Sequence, residues 1–213
     1  STNTGTRYGG TSPHQPFQFS SGHGPRTGLT SASDEAMVGR VTAQLLDAVL
    51  GTSQLLIEHP PTAQPAISRD EAIRRITIEL GDLLDFASDA IVNPIGVNAT
   101  DTGELGVQLF ERIGNPMLAA LERHDSLVAG ESRLTLTDGR IPARFVIHTC
   151  TADHRRGHTV ESVTVGALGA LRAAEGLPSV RWIALPALGS GAARLPAAAI
   201  ARAVVPELVT QLA

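Results

Sequence analysis

What most constrains this chain is an alternation of two periods from residue 67 onward. Short runs with strand spacing fall at 75–80, 89–93, 134–136, 144–150 and 179–185. Stretches with helical spacing lie between and beyond them, at 105–113, 116–121, 159–175 and 196–212. In the first run Ile76, Ile78 and Leu80 alternate with polar residues, whereas Ala90-Ile91-Val92 is continuously apolar. Continuous apolar runs suit strands buried on both faces. The last helix opens with Pro196, a residue preorganised for a first turn. Strands alternating with helices predict an α/β sheet covered on both sides.

Ahead of this body the composition changes twice. Residues 1–33 are rich in Gly, Ser, Thr and Pro, and carry only Arg7 and Arg26 as charges. Such a segment cannot bury a core of its own. It nevertheless holds Tyr8, Phe17 and Phe19, three of the chain's seven aromatics, so docking on the body is an open alternative. Residues 34–66 read as a helical extension and a Pro-rich linker. Ser33-Asp34-Glu35 begins the helix, with Met37, Val41, Leu45, Leu46 and Val49 at helical spacing. His59-Pro60-Pro61 and Pro65 punctuate the linker, and residues 67–213 form the expected folded domain.

Charge and composition exclude several functions. All 17 basic residues are Arg, so no Schiff-base lysine, phosphate-loop lysine or Ser-Lys hydrolase is available. A net charge of −4 argues against a nucleic-acid groove. No apolar stretch approaches the roughly 20 residues of a membrane helix. Cys150 is the sole cysteine and no cleavable signal pattern opens the chain, so the expected compartment is the cytoplasm. Cys150, His154 and His158 are spaced C-x3-H-x3-H, but Arg155 and Arg156 crowd them, and a polar loop is expected rather than a metal site. The Gly189-Ser190-Gly191 turn lacks the G-x-S-x-G order of a nucleophile elbow. Neither a cofactor nor a metal is expected.

Three loops follow strands and carry unusual residues. Gly81-Asp82-Leu83-Leu84 follows the first run. The second loop runs from Asn93 through Asn98, Asp101 and Glu104 to Gly106, and the third is the small-residue stretch 186–196. The latter two each feed a helix N-terminus, where backbone N–H groups hold an anion without a lysine. With an exposed Asp after a third strand, the pattern points to a nucleotide diphosphate.

Gly81-Asp82-Leu83, Asp89-Ala90-Ile91-Val92-Asn93, Val146-Ile147-His148-Thr149 and Leu185-Pro186-Ala187-Leu188-Gly189-Ser190-Gly191 with Pro196 together resemble the macro domain. Order and spacing match from about residue 73 to the end. The resemblance implies a three-layer α/β/α fold around a central mixed sheet, with ADP-ribose or an ADP-ribosylated protein as partner. It assigns Asp82 to the adenine amino group, a pairing that selects adenine over guanine. The remaining implied ligand contacts are Leu83, Asn93, Gly106 and Val107, then Gly189, Ser190, Gly191, Ala192, Ala193 and Arg194. His148 is implied as a structural histidine. The resemblance also implies a strand after the last helix, and Ser53–Glu58, with Leu55, Leu56 and Ile57, is the upstream segment that could serve instead.

The departures from the family fall on one half of the ligand. Where the family's distal-ribose Asn belongs, strict spacing puts Gly96, with Asn98 two residues on. The triple glycine reads Glu104-Leu105-Gly106, Gln108 stands where many hydrolases carry an acid, and Ala193 replaces the usual aromatic. Arg194 is new and could meet a phosphate, Glu104 or water. These changes favour ADP-ribose binding over turnover. A macro-type hydrolase acting on ADP-ribosylated protein or O-acetyl-ADP-ribose stays open, with Asn98, Asp101 and Glu104 as its candidate catalytic groups. A scaffold that lost the ligand is the third alternative.

Overall fold

A computed structural model describes residues 53–58, 66–122 and 126–213. The expected helix at 34–51 and the N-terminal segment lie outside them. The elements are β1 (Ser53–Glu58), α1 (Arg69–Arg74), β2 (Ile76–Leu80), β3 (Ala90–Ile95), α2 (Glu104–Ile113) and α3 (Asn115–Leu121). They continue with β4 (Ser132–Leu136), β5 (Phe145–Cys150), the short strands β6 (Ala152–Asp153) and β7 (Gly157–His158), α4 (Val160–Glu175), β8 (Trp182–Pro186) and α5 (Ala197–Leu212).

Among the described residues, six strands form one mixed sheet in the order β2-β1-β8-β3-β5-β4. β3 runs parallel to β5 and β8, while β1 is antiparallel to both β2 and β8, and β4 is antiparallel to β5. The sheet therefore begins at Ser53, ahead of the boundary expected at 67. Leu55 and Ile57 explain why: both are buried against the helices of one face, which a solvated linker could not offer them.

Side-chain alternation divides the core in two. Ala90 and Val92 of β3, Ile147 of β5 and Ile183 and Leu185 of β8 pack with α1, α4 and α5. Ile91 and Ile95, Val146 and Cys150, and Ala184 pack on the other face with α2, α3 and the 3-10 turn Leu83–Asp85. This is the expected three-layer arrangement. Strand β3 runs two residues beyond the run expected at 89–93, through Pro94 to Ile95. Pairing with β8 reaches only Ile91, so the missing N–H of Pro94 interrupts no ladder there.

Local chemistry fixes several starts. Ser68 caps α1 by accepting from the Glu71 N–H at 3.2 Å. Thr159 and Ser162 exchange bonds as a capping box on α4. Asp89 clamps the sheet: its carboxylate accepts from the N–H groups of Arg181 (2.8 Å) and Trp182 (2.9 Å), and its carbonyl accepts from Arg144 and Phe145. No helix among the described residues is long and apolar enough to cross a membrane.

Candidate functional site

Because β2, β3, β5 and β8 all point one way, the chain leaves each of them at the same edge of the sheet. Gly81-Asp82, the 96–103 loop, the β6–β7 hairpin and the 187–196 loop all issue there. That edge is where open α/β sheets bind ligands.

The first loop rests on a buried polar network. Asn93 is 1% exposed and His148, its register partner on β5, is 0% exposed. The Asn93 amide donates to His148 Nδ1 at 3.0 Å, leaving Nε2–H to donate to Thr135 Oγ1 at 2.9 Å. Burial pushes the histidine pKa down to about 3, so the ring is neutral and this tautomer is coherent. The same Asn93 amide reaches Thr102 Oγ1 at 3.3 Å. Asn93 thus sits beneath the loop, holding it, rather than on its surface.

Thr102 in turn packs against Gly106. A Cβ there would lie 2.5 Å from Thr102 Cγ2, so only glycine lets α2 start this close. Gly103 is the N-cap of α2 and supplies no side-chain acceptor. The first-turn N–H groups of Glu104, Leu105 and Gly106 have no intrahelical partner by geometry. Glu104 and Gln108 approach one another at 3.5 Å along the helix, Val107 is half-exposed, and Asn98 and Asp101 are exposed.

In the second loop, Gly189 has φ +77°, and a Cβ there would meet Val163 Cγ2 at 2.9 Å. Ser190 turns its hydroxyl inward, donating to the Ala187 carbonyl at 2.6 Å. The N–H groups of Gly191, Ala192 and Ala193 donate to no acceptor among the described residues. Arg194, at φ 52°, donates its N–H to Gly191 O, and its exposed side chain forms no ion pair among the described residues. The two loops meet: a Cβ on Gly103 would stand 3.7 Å from the Cβ of Ala192.

Asp82 begins the 3-10 turn, with Oδ1 accepting from the Leu84 N–H at 2.9 Å. Its Oδ2 faces Arg112 of α2 at 3.6 Å, and Arg112 also pairs with Asp85 at 3.2 Å. The carboxylate remains 47% exposed, so lone pairs are left for a ligand. Leu83 buries its side chain in the core and can offer a ligand only its backbone.

Thr102 and Arg112 escape a reading of the sequence. No local pattern marks Thr102, and Arg112 meets Asp82 across 30 positions of chain. A shallow apolar recess adjoins the second loop, lined by Leu55, Leu185, Leu188, Ile200, Val204 and Val205 among others. Its lining is not that of an anion site. Cys150 is buried with its Sγ against the Ala152 carbonyl at 3.4 Å, and burial raises its thiol pKa, while His158 bonds Thr151.

A macro domain family model matches residues 92–204, and the chain belongs to that family. It is similar to an uncharacterized protein of Aeropyrum pernix, 32% identical over 131 residues, spanning 61% of this chain and 68% of that one. It is also similar to an uncharacterized protein of Mycobacterium tuberculosis, 27% identical over 143 residues, with the match spanning 66% of this chain but 39% of the mycobacterial protein. In fold it resembles a Trypanosoma brucei macrodomain solved in complex with ADP-ribose, at TM-score 0.51 and 22% identity over 62% of this chain and 55% of that chain. An Oceanobacillus iheyensis macrodomain with ADP gives TM-score 0.51 and 23% identity, covering 61% and 74%.

Proposed function

We propose that this chain binds ADP-ribose, or an ADP-ribosyl group on a protein, across the loop edge of its sheet. The observation that carries this reading is the meeting of two loops, at Gly103 and Ala192, each bearing backbone N–H groups without internal acceptors. Such groups suit a diphosphate without a lysine. Asp82, at the same edge, supplies the acceptor for the adenine amino group. The solved relatives bound to ADP-ribose and ADP support the same ligand class.

Binding is favoured over turnover by the groups nearest the terminal sugar. Gln108 cannot serve as a base, and Ala193 has no ring to place against the sugar. We read residues 53–213 as the macro-type body, because β1 is paired on both sides within the sheet.

A ligand that binds only the native state raises its melting temperature with concentration. ADP-ribose and ADP should do so, and guanosine diphosphate should do so far less. No shift with any adenine nucleotide would overturn the reading.

A further inference from the structure

Strand β1 is antiparallel to β2 and β8, so its first residue lies at the loop edge where those two strands end. Ser53 pairs in register with Leu80, the last residue of β2, and Gln54 pairs with Pro186, the last of β8. The chain therefore reaches the sheet at that edge, with 52 residues ahead of Ser53. Beside this entry two apolar features stand open among the described residues. One is the recess between β1, β8 and the first half of α5, whose lining carries no charged side chain. The other is Leu80, which is 68% exposed. Leu80 shares a face with Ile76 and Ile78, which pack on the core made with α4 and α5, and Ile78 is the register partner of Leu55 in the recess wall. Recess and Leu80 thus lie on one face of the sheet, at the point where the chain arrives.

Residues 34–51 lie outside the described residues, and their sequence matches this face. On a helix Met37, Val41, Leu45, Ala48 and Val49 fall within one sector about 120° wide, while Arg40, Ala43 and Asp47 fall outside it. A helix of this length is marginal alone and needs a surface for such a stripe. Gly51 would end it two positions before Ser53. At a helical rise, Leu45 to Ser53 covers about 12 Å, and so does Ala197 to Val205 along the recess. The short tether makes docking intramolecular, at an effective concentration of about millimolar. We propose that residues 34–51 dock as a helix on this face, with Leu45, Ala48 and Val49 seated in the recess between β1 and α5. The recess wall includes Leu188 and Ser190, so the docked helix braces the 187–196 loop.

The experiment follows hydrogen exchange on the full chain in wild type, in Leu45→Glu, which puts a charge on the stripe, and in Ala43→Glu, which puts one on the opposite side. Wild type should protect the amides of 34–51 by about tenfold or more over free chain. Leu45→Glu should lose that protection and lower the melting temperature by about 4 °C or more, while β3 and β5 stay protected, which shows the body still folded. Ala43→Glu should change neither. A benzophenone side chain introduced at Gln44, beside the stripe, should crosslink within one chain to the peptide carrying 197–205. No protection of 34–51 in wild type, or equal loss in both variants, overturns the proposal. So does a crosslink to another part of the chain, and a crosslink between two chains would give the recess to a second copy instead.

Discussion

The side-chain amide of Asn93 donates to Nδ1 of His148 across 3.0 Å, in a place neither residue shares with water. Both ring nitrogens and the amide are committed inside the sheet, and the second hydrogen of the amide reaches the loop through Thr102. Sheet and loop are thereby one polar unit, so damage to it should be felt at the ligand edge.

Asn93→Ala leaves His148 Nδ1 buried without a donor. The expected cost is about 1–3 kcal/mol of stability. Chemical denaturation measures it, and ADP-ribose affinity should fall as the loop loses its tether. A change under about 0.5 kcal/mol would show that the network contributes little to stability.

The buried His148 makes stability depend on pH in a definite direction. Its folded pKa is about 3, against 6.5 when exposed. Between those values the unfolded chain takes up a proton that the folded one refuses, so stability falls as pH drops below 6.5. One such group gives a slope of about 1.4 kcal/mol per pH unit. The contribution is complete above pH 6.5. His148→Gln, though less stable, should flatten the slope between pH 5 and 6.5, a window above most carboxylate titration. An unchanged slope, or a ring seen by NMR to protonate near 6, contradicts a neutral buried imidazole.

Gly169→Ala offers a test of packing. Helix propensity alone favours alanine by about 1 kcal/mol. In this structure a Cβ at 169 would lie 2.7 Å from the Gly130 carbonyl carbon and 2.8 Å from its Cα, in backbone that itself holds φ +87°. The expected outcome is a net loss of stability of about 1–3 kcal/mol. A stabilised variant would show that α4 and the 130 turn do not approach as described.

Fold and site are unequally legible in the sequence. Periodicity marks β3, β5, β8, α4 and α5, because each is a long enough apolar pattern. Helix α1 escapes it although Ser68-Arg69-Asp70-Glu71 carries a capping signal, since the six-residue helix is too short to show a period. Ser53–Glu58 can be named as a strand, but its neighbours β2 and β8 are set by long-range pairing that no local pattern carries. At the site, the resemblance supplies Asp82 and the 189–194 loop. The packing of Thr102 on Gly106 is not readable, because it depends on the path of a loop. The resemblance implies ligand contact for Asn93, whereas its 1% exposure sets it below the loop.

Everything proposed for the site depends on an adenine diphosphate lying along this edge with its base on Asp82. The most direct measurement is a calorimetric titration of ADP-ribose into wild type and Asp82→Asn. Asparagine can keep the Leu84 cap with its carbonyl oxygen while turning an N–H₂ group, a donor, toward the base. Micromolar binding is expected for wild type, weakened by about tenfold or more in the variant at an unchanged melting temperature. Equal affinity in both proteins, or no heat in either, would contradict it.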